Sequence, residues 1–333
     1  MMSKTMTVTD AQLRLDQLKN GRIPSKETPV LGNPIYQKAY DGFLRFGALC
    51  NTLREGTDGA GGFLVPDEFE KKIIDALDEK NVLRRLATVR QTYRNLKIPR
   101  AMGTGHAYWV PEEGVIPETS SEFDEINLGA YKLATLMRVT DELLEDSVFD
   151  VEEYIAKEFA LRLGMAEEEA FLDGDGNGKP LGLMRQLDRV VDSENAGRIT
   201  MEDVVELQHA VGSRYRKNAV FLMSDDAVSE LSKYRTLGMV NVWQGNMQNG
   251  ESTKLLGVPV ITCPSMPKVE SGRMTILYGD FSHFMIGDRA HRSVKRLNEV
   301  YAHQGQVGYV VSQRVDAVLL DKGAIAGLKV QQP

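Results

Sequence analysis

Val151, Tyr154, Ile155, Phe159, Leu163, Ala166 and Ala170 step by three and four residues, which predicts the strongest helix in the chain. Asp150, Glu152 and Glu153 lie at the positive end of its dipole. The helix runs into Phe171-Leu172-Asp173-Gly174-Asp175-Gly176-Asn177-Gly178-Lys179-Pro180-Leu181-Gly182-Leu183, a segment that must end it. Gly adopts left-handed backbone angles, Asp and Asn tolerate them, and Pro cannot continue a helix. Gly174, Gly176 and Gly178 are therefore structural turn residues, with Gly174 or Gly176 expected at positive φ.

The same segment imitates a ligand loop, and each imitation fails on a residue. Asp173, Asp175, Asn177 and Gly178 match the first half of a calcium loop, but Met184 occupies the twelfth position and offers no oxygen. A phosphate loop would need Gly where Asp173 stands and Ser or Thr where Pro180 stands. A dinucleotide fingerprint would need a third Gly at Lys179. No metal and no cofactor is expected here. An enzyme using Asp173 and Asp175 on a metal is the least favoured alternative.

The chain has 333 residues, beyond the ~250–300 at which a single core stops growing. Two lobes, or one body with projections, are expected. A net charge of −7 disfavours free nucleic-acid or anionic-membrane binding. No run approaches the ~18 apolar residues of a membrane span, so no membrane partner is expected. Met1 to Lys26 is polar and carries no secretory pattern. Cys50 and Cys263 are isolated and read as two reduced thiols.

Along the chain, Thr9 or Asp10 caps a short helix carrying Leu13, Leu15 and Leu18, and a second spans Pro34 to Gly47 with Tyr36, Ala39, Tyr40 and Phe43 on one face. Residues 54–62 are a Gly-rich linker, so everything before them is expected to be an arm outside any core. Asp67 and Glu70 make a capping-box-like start after Pro66. Extended stretches at 87–99 and 126–140 flank a tip rich in Gly and Pro, which predicts a long projecting hairpin. Beyond the turn, helices capped by Thr200 and Ser224 alternate with strands at 219–223, 255–261, 274–278, 283–286, 294–299, 308–314 and 317–321.

Catalytic patterns are weak. None of the five His sits in a His-Glu-x-x-His arrangement, and no Gly-x-Ser-x-Gly elbow occurs. Glu167, Glu168 and Glu169 read as a solvated helix face, since successive positions point in different directions. Tyr108 and Trp109, near the hairpin tip, read as contact anchors.

Taken in order, short stretches of this chain resemble the major capsid proteins of tailed phages, the Hong Kong 97 fold. They are Gly61-Gly62-Phe63-Leu64-Val65-Pro66-Asp67-Glu68, Val139-Thr140-Asp141-Glu142-Leu143-Leu144-Glu145-Asp146-Ser147, Ala170-Phe171-Leu172-Asp173-Gly174-Asp175-Gly176 and Lys179-Pro180-Leu181-Gly182-Leu183. Leu255-Leu256-Gly257-Val258-Pro259-Val260, Gly279-Asp280-Phe281-Ser282 and Arg314-Val315-Asp316-Ala317-Val318 complete the set. The resemblance covers about residues 36–328.

It implies an α+β architecture: a short extension at 1–33, an N-arm at 34–66 and an E-loop hairpin at 90–138. A peripheral domain would comprise 67–89, 139–198 with its spine helix, and the last strands at 296–328. An axial domain would span 199–295, with a tail at 329–333. Hexamers and pentamers of the chain would close an icosahedral shell around DNA held without sequence specificity. The location would be the virion capsid, assembled in the host bacterial cytoplasm, with a separate scaffolding protein, a portal and a maturation protease as further partners. An encapsulin-like compartment packing an enzyme is the same-fold alternative.

Inter-subunit contacts are expected from Tyr108, Trp109, Glu112, Glu113, Val115, Ile116 and Glu118 of the hairpin onto Lys71, Lys72, Arg84 and Arg85 of a neighbour. The hairpin tip carries no Lys, so the covalent Lys–Asn link of the type member is not expected.

Overall fold

The structure is a computed structural model that describes residues 39–44, 63–64, 67–102, 108–110, 122–145, 150–233, 243–244, 254–289 and 292–332. The expected helix at Leu13–Leu18, the Gly-rich linker and Cys50 lie outside these residues.

Its longest helix is α4 (Val151–Asp173), after α1 (Asp67–Lys80), α2 (Val82–Leu86) and α3 (Asp141–Glu145). The Asp150 side chain caps α4 by accepting from the Glu153 N–H at 2.9 Å. Ile155, Phe159 and Leu163 on its inner face are buried. They pack with Ile73 and Leu77 of α1 and with one face of a six-stranded sheet.

That sheet is organised by β14 (Gln306–Leu319). Along one flank runs β5 (Tyr131–Thr140), antiparallel from Gln306↔Thr140 to Val315↔Tyr131. Two successive strands, β12 (Phe284–Arg289) and β13 (Ser293–Leu297), also pair with β14, at residues 315–319 and 308–312. The sheet is completed by β2 (Thr88–Thr92), parallel to β12, and β1 (Phe63–Leu64), antiparallel to β13. Sequence patterning splits β14 in two around Val315 and Asp316; the structure runs one strand through both.

A second, seven-stranded sheet holds β6 (Val190–Asp192), β7 (Val220–Met223), β8 (Trp243–Gln244), β9 (Lys254–Leu255), β10 (Val258–Thr262), β11 (Met274–Gly279) and β15 (Ile325–Lys329), in the order β6-β15-β11-β7-β10-β9-β8. Three helices accompany it: α5 (Leu183–Gln186), α6 (Met201–Ala210) and α7 (Asp225–Ser232). Thr200 and Asp203 form a reciprocal capping box on α6, and Ser224 caps α7. Phe171 of α4 meets Phe284 of β12 edge-on, 6.3 Å between ring centres, inside this sheet's core.

Sheet membership cuts across the boundaries that the resemblance suggests. β12 and most of β13 fall within 199–295 yet belong to the six-stranded sheet, whereas β6 and β15 lie outside 199–295 yet complete the seven-stranded one. β6 pairs with β15, more than a hundred residues later, and β15 with β11, about fifty residues earlier, so no local pattern assigns these two.

The arm also departs from expectation. Residues 39–44 are helical, and Tyr40, Phe43 and Leu44 are buried in the core beneath α4. The Tyr309 hydroxyl of β14 donates to the Leu44 carbonyl. Burying such side chains contributes ~1.5–3 kcal/mol each, enough to draw this part of the arm into the body.

The Asp/Gly turn is built by two different demands. Gly176 and Gly178 take φ of +77° and +72°. Gly174, by contrast, has φ −58°, so it needs no left-handed freedom. It is glycine because a Cβ there would lie 2.1 Å from the Pro180 carbonyl oxygen and 2.5 Å from that of Ala170. Replacing Gly174 with Ala should cost ~3 kcal/mol or more, the upper end of overpacking penalties, because both obstacles are backbone. Gly178→Ala, in open space, should cost only about 1 kcal/mol for the left-handed angle. Urea unfolding of the unassembled subunit measures both, and the order of the two losses is the check.

Candidate assembly interface

The hairpin forms as β3 (Leu96–Met102) and β4 (Glu122–Leu128), antiparallel from Leu96↔Leu128 to Met102↔Glu122. It is a separate two-stranded sheet, and such a ribbon is marginal in water by itself. Cross-strand pairs Lys97–Glu125 at 2.6 Å and Arg100–Asp124 at 3.0 Å are solvent-exposed and contribute ~0–1 kcal/mol each.

Support comes from its root. Leu128 is buried and sits where β12 has Gly287; a Cβ on Gly287 would come within 2.5 Å of the Leu128 side chain. The Gly129 N–H donates to Asp316 Oδ2 at 2.6 Å. Arg289 donates to Asn95 Oδ1 at 2.7 Å and to the Gly129 carbonyl at 3.3 Å. Both legs are thus fastened to β12 and β14. Burial pushes the Asp316 carboxyl up, against the pull of the Gly129 and Ala317 N–H groups.

Below the root lies a buried ionic cluster. The Arg84 guanidinium of α2 donates to Glu167 of α4 at 2.7 and 3.0 Å and to Asp288 of β12 at 3.0 and 2.8 Å. Arg292 reaches Asp288 at 3.4 Å and Gln313 of β14 at 2.8 Å, and Gln313 in turn donates to Glu167. Burial raises the Glu167 carboxyl above its ordinary range despite Arg84. Burial also opposes ionisation of Asp288, but Arg84 and Arg292 outweigh it and hold that carboxyl low.

Two expectations are corrected here. Arg84 is 3% exposed and fully engaged, so it cannot meet a neighbour's hairpin; Lys71, Lys72 and Arg85 do face solvent. Glu167 and Glu168 are buried, not a solvated face. Glu168 accepts from the Val82 N–H at 2.7 Å and the Ser265 hydroxyl at 2.8 Å, while Glu169 is exposed. The signal was present: Ile155, Phe159, Leu163, Glu167 and Phe171 stand four apart, on one helical row. Asp288, Arg292 and Gln313 gave no local signal.

At the far end of the hairpin, Tyr108 is 54% and Trp109 104% exposed. Glu112, Glu113, Val115, Ile116 and Glu118 lie outside the described residues. The outer face of α4 adds Tyr154, Leu161 and Met165, all exposed. The ion pairs Glu153–Lys157 and Glu158–Arg162, each 2.6 Å, sit on the same helix.

Both carboxylates of the Asp/Gly turn are engaged by other groups. Asp173 is paired with Arg185 at 2.9 Å, and the Asp175 carboxylate accepts from the Asn177 N–H at 3.1 Å. That bond, with Lys179 and Arg185 nearby, holds Asp175 below its ordinary range. A cleft of about 420 Å³ beside the turn sets Lys179, Arg185, Lys268 and Arg273 among the carboxylates. Among the described residues no three His, Cys, Asp or Glu converge. Cys263 is buried, and burial together with Glu168 pushes its thiol up to about 12. Among the described residues no helix is long and apolar enough to cross a membrane.

Residues 61–330 match the model of the phage capsid family. The major capsid protein of Klebsiella oxytoca phage phiKO2 is 21% identical over 248 residues, covering 71% of this chain and 58% of that protein. The major capsid protein of Escherichia phage T5 is 27% identical over 213 residues, covering 60% of this chain and 45% of that one. The chain spans about half the length of these curated relatives. Among solved structures, the capsid of the native GTA particle superposes with a TM-score of 0.66 at 26% identity, covering 75% of this chain and 89% of that one.

Arg84→Ala should destabilise the subunit by ~3–5 kcal/mol, because it leaves Glu167 buried without its cation and Asp288 with Arg292 alone; urea unfolding measures it. Asp316 generates a pH effect of definite sign. Its carboxyl binds a proton more tightly folded than unfolded, so stability should fall as pH rises above the ordinary value of 3.8 towards the folded one. Asp316→Asn should remove that portion of the profile, seen as the difference between the two unfolding midpoints across pH.

Proposed function

The chain belongs to the phage capsid family, and on that footing we propose that it is a structural shell subunit of the Hong Kong 97 fold and not an enzyme. Copies of it associate as hexamers and pentamers, and these close an icosahedral shell around DNA. The particle is a virion capsid, assembled in the host bacterial cytoplasm, with a scaffolding protein, portal and maturation protease as partners. The observation that carries this is the hairpin: a ribbon fastened at its root that ends in solvent with Tyr108 and Trp109 uncovered. Apolar surface of that kind is covered by association, at ~25 cal/mol per Å² removed from water.

The hairpin is the donor side of the contact. Between Arg100 and Lys132 the sequence holds Glu112, Glu113, Glu118, Glu122, Asp124 and Glu125, with no Lys or Arg. An acidic ribbon meets a basic surface of the next subunit, on which Lys71, Lys72 and Arg85 are exposed and Arg84 is buried. Residues 34–66, 90–138, 139–198 and 199–295 serve as arm, E-loop, spine-bearing part of the peripheral domain and axial domain.

Expressed chain, with a scaffold where required, should give capsomers or closed shells by electron microscopy, with nuclease-protected DNA in particles from infected or induced cells. After boiling in detergent and reductant the particles should run as single subunits. A strictly monomeric protein under all assembly conditions overturns the reading. Shells that hold a protein cargo and no DNA replace it with the compartment alternative.

A further inference from the structure

Beside the C-terminal half of α4 lies an apolar groove of about 240 Å³. Tyr131 and Leu133 of β5, Ala166 and Ala170 of α4, Pro180 of the Asp/Gly turn and Val315 of β14 line it. Its floor is the buried Glu167, whose charge is already taken by Arg84 and Gln313. Glu167 therefore leaves no unanswered charge there, and most of the groove's lining is apolar. It is smaller than the ~300–1,000 Å³ of pockets that hold small-molecule ligands. One large side chain suits it better than a cofactor.

Two exposed lysines, Lys132 and Lys179, stand at this groove. Lys132 has no ion-pair partner among the described residues, and Lys179 only approaches Asp175, at 3.9 Å. The cations on the outer face of α4 are already paired in i,i+4 fashion. An acidic segment bearing an aromatic side chain thus complements the groove in shape and charge, and complements the outer stripe of α4 less well.

The chain itself carries such a segment. Trp109 is fully exposed, and its hairpin has acidic residues and no Lys or Arg for thirty-one positions. We propose that Trp109 of one copy inserts into the Tyr131–Ala166–Pro180 groove of a second copy, with Lys132 and Lys179 facing the acidic residues that follow it in sequence. This rests on the shell-subunit reading and names its anchor. An indole buries ~150–250 Å² and loses little rotamer freedom, the character of a binding hot spot. The Asp/Gly turn then gains a second purpose: by stopping α4 it sets Pro180 as one wall.

The test uses full-length chain carrying Trp243→Phe, so that Trp109 is the sole indole. On assembly its emission should shift to the blue and acrylamide quenching should fall several-fold. Ala166→Arg, at the groove, should block assembly or return Trp109 to water, while Met165→Arg, on the outer stripe, should do neither. Circular dichroism of unassembled subunits controls for folding. Particles that form with Trp109 still quenched as in free subunit overturn the proposal and leave the shell reading standing. So do particles in which Ala166→Arg leaves the blue shift intact. A chain that forms no particles under any condition overturns both.

Discussion

A guanidinium buried among carboxylates holds this molecule in register. Arg84 comes from a five-residue helix, Glu167 from the long helix and Asp288 from a strand of the six-stranded sheet. Burying these charges costs several kcal/mol per ion, which their attraction roughly offsets. The net gain in stability is therefore small. What the cluster supplies is geometry, because Arg84 satisfies both carboxylates only with α2, α4 and β12 at one mutual orientation. Gln313 of β14 and Arg292, the residue just before β13, close the ring, so each side of the cluster is tied to a different backbone segment. An apolar core of equal volume would tolerate sliding between these elements; directed bonds do not.

That fixed body presents three surfaces of different character. The root of the hairpin is gripped by Leu128, Asp316 and Arg289. The outer face of the long helix is apolar but laced with self-paired charges. The end of the same helix leaves a groove flanked by lysines whose charges are little compensated. Only the last combines concavity, apolar lining and a charge that the hairpin can answer.

Elements whose cause is local were legible in the sequence. The long helix with acidic residues at its start and the helices capped by Thr200 and Ser224 rest on residues within a few positions of each other, and the hairpin on the Gly and Pro residues of its tip. Resemblance of scattered short stretches carried the fold type further than periodicity could. What escaped was non-local. The last strand pairs with β11, about fifty residues earlier, and the docked part of the arm is held by Tyr309 of β14. Glu167 shows the subtler failure. Three consecutive glutamates look solvated by composition, yet the four-residue row through Phe159 and Leu163 places the first of them inward. The helical row was the better guide than the charge.

The hairpin is a lever with a very short fulcrum. Seven paired residues at ~3.3 Å each make an arm of about 23 Å, and two short connections, residues 93–95 and 129–130, join it to the body. A tilt of about 5° at that joint displaces the end of such an arm by ~2 Å, well beyond what close-packed side chains absorb. The position of the ribbon's outer end is therefore decided at its root, by one carboxylate, one guanidinium and one leucine seated over a glycine.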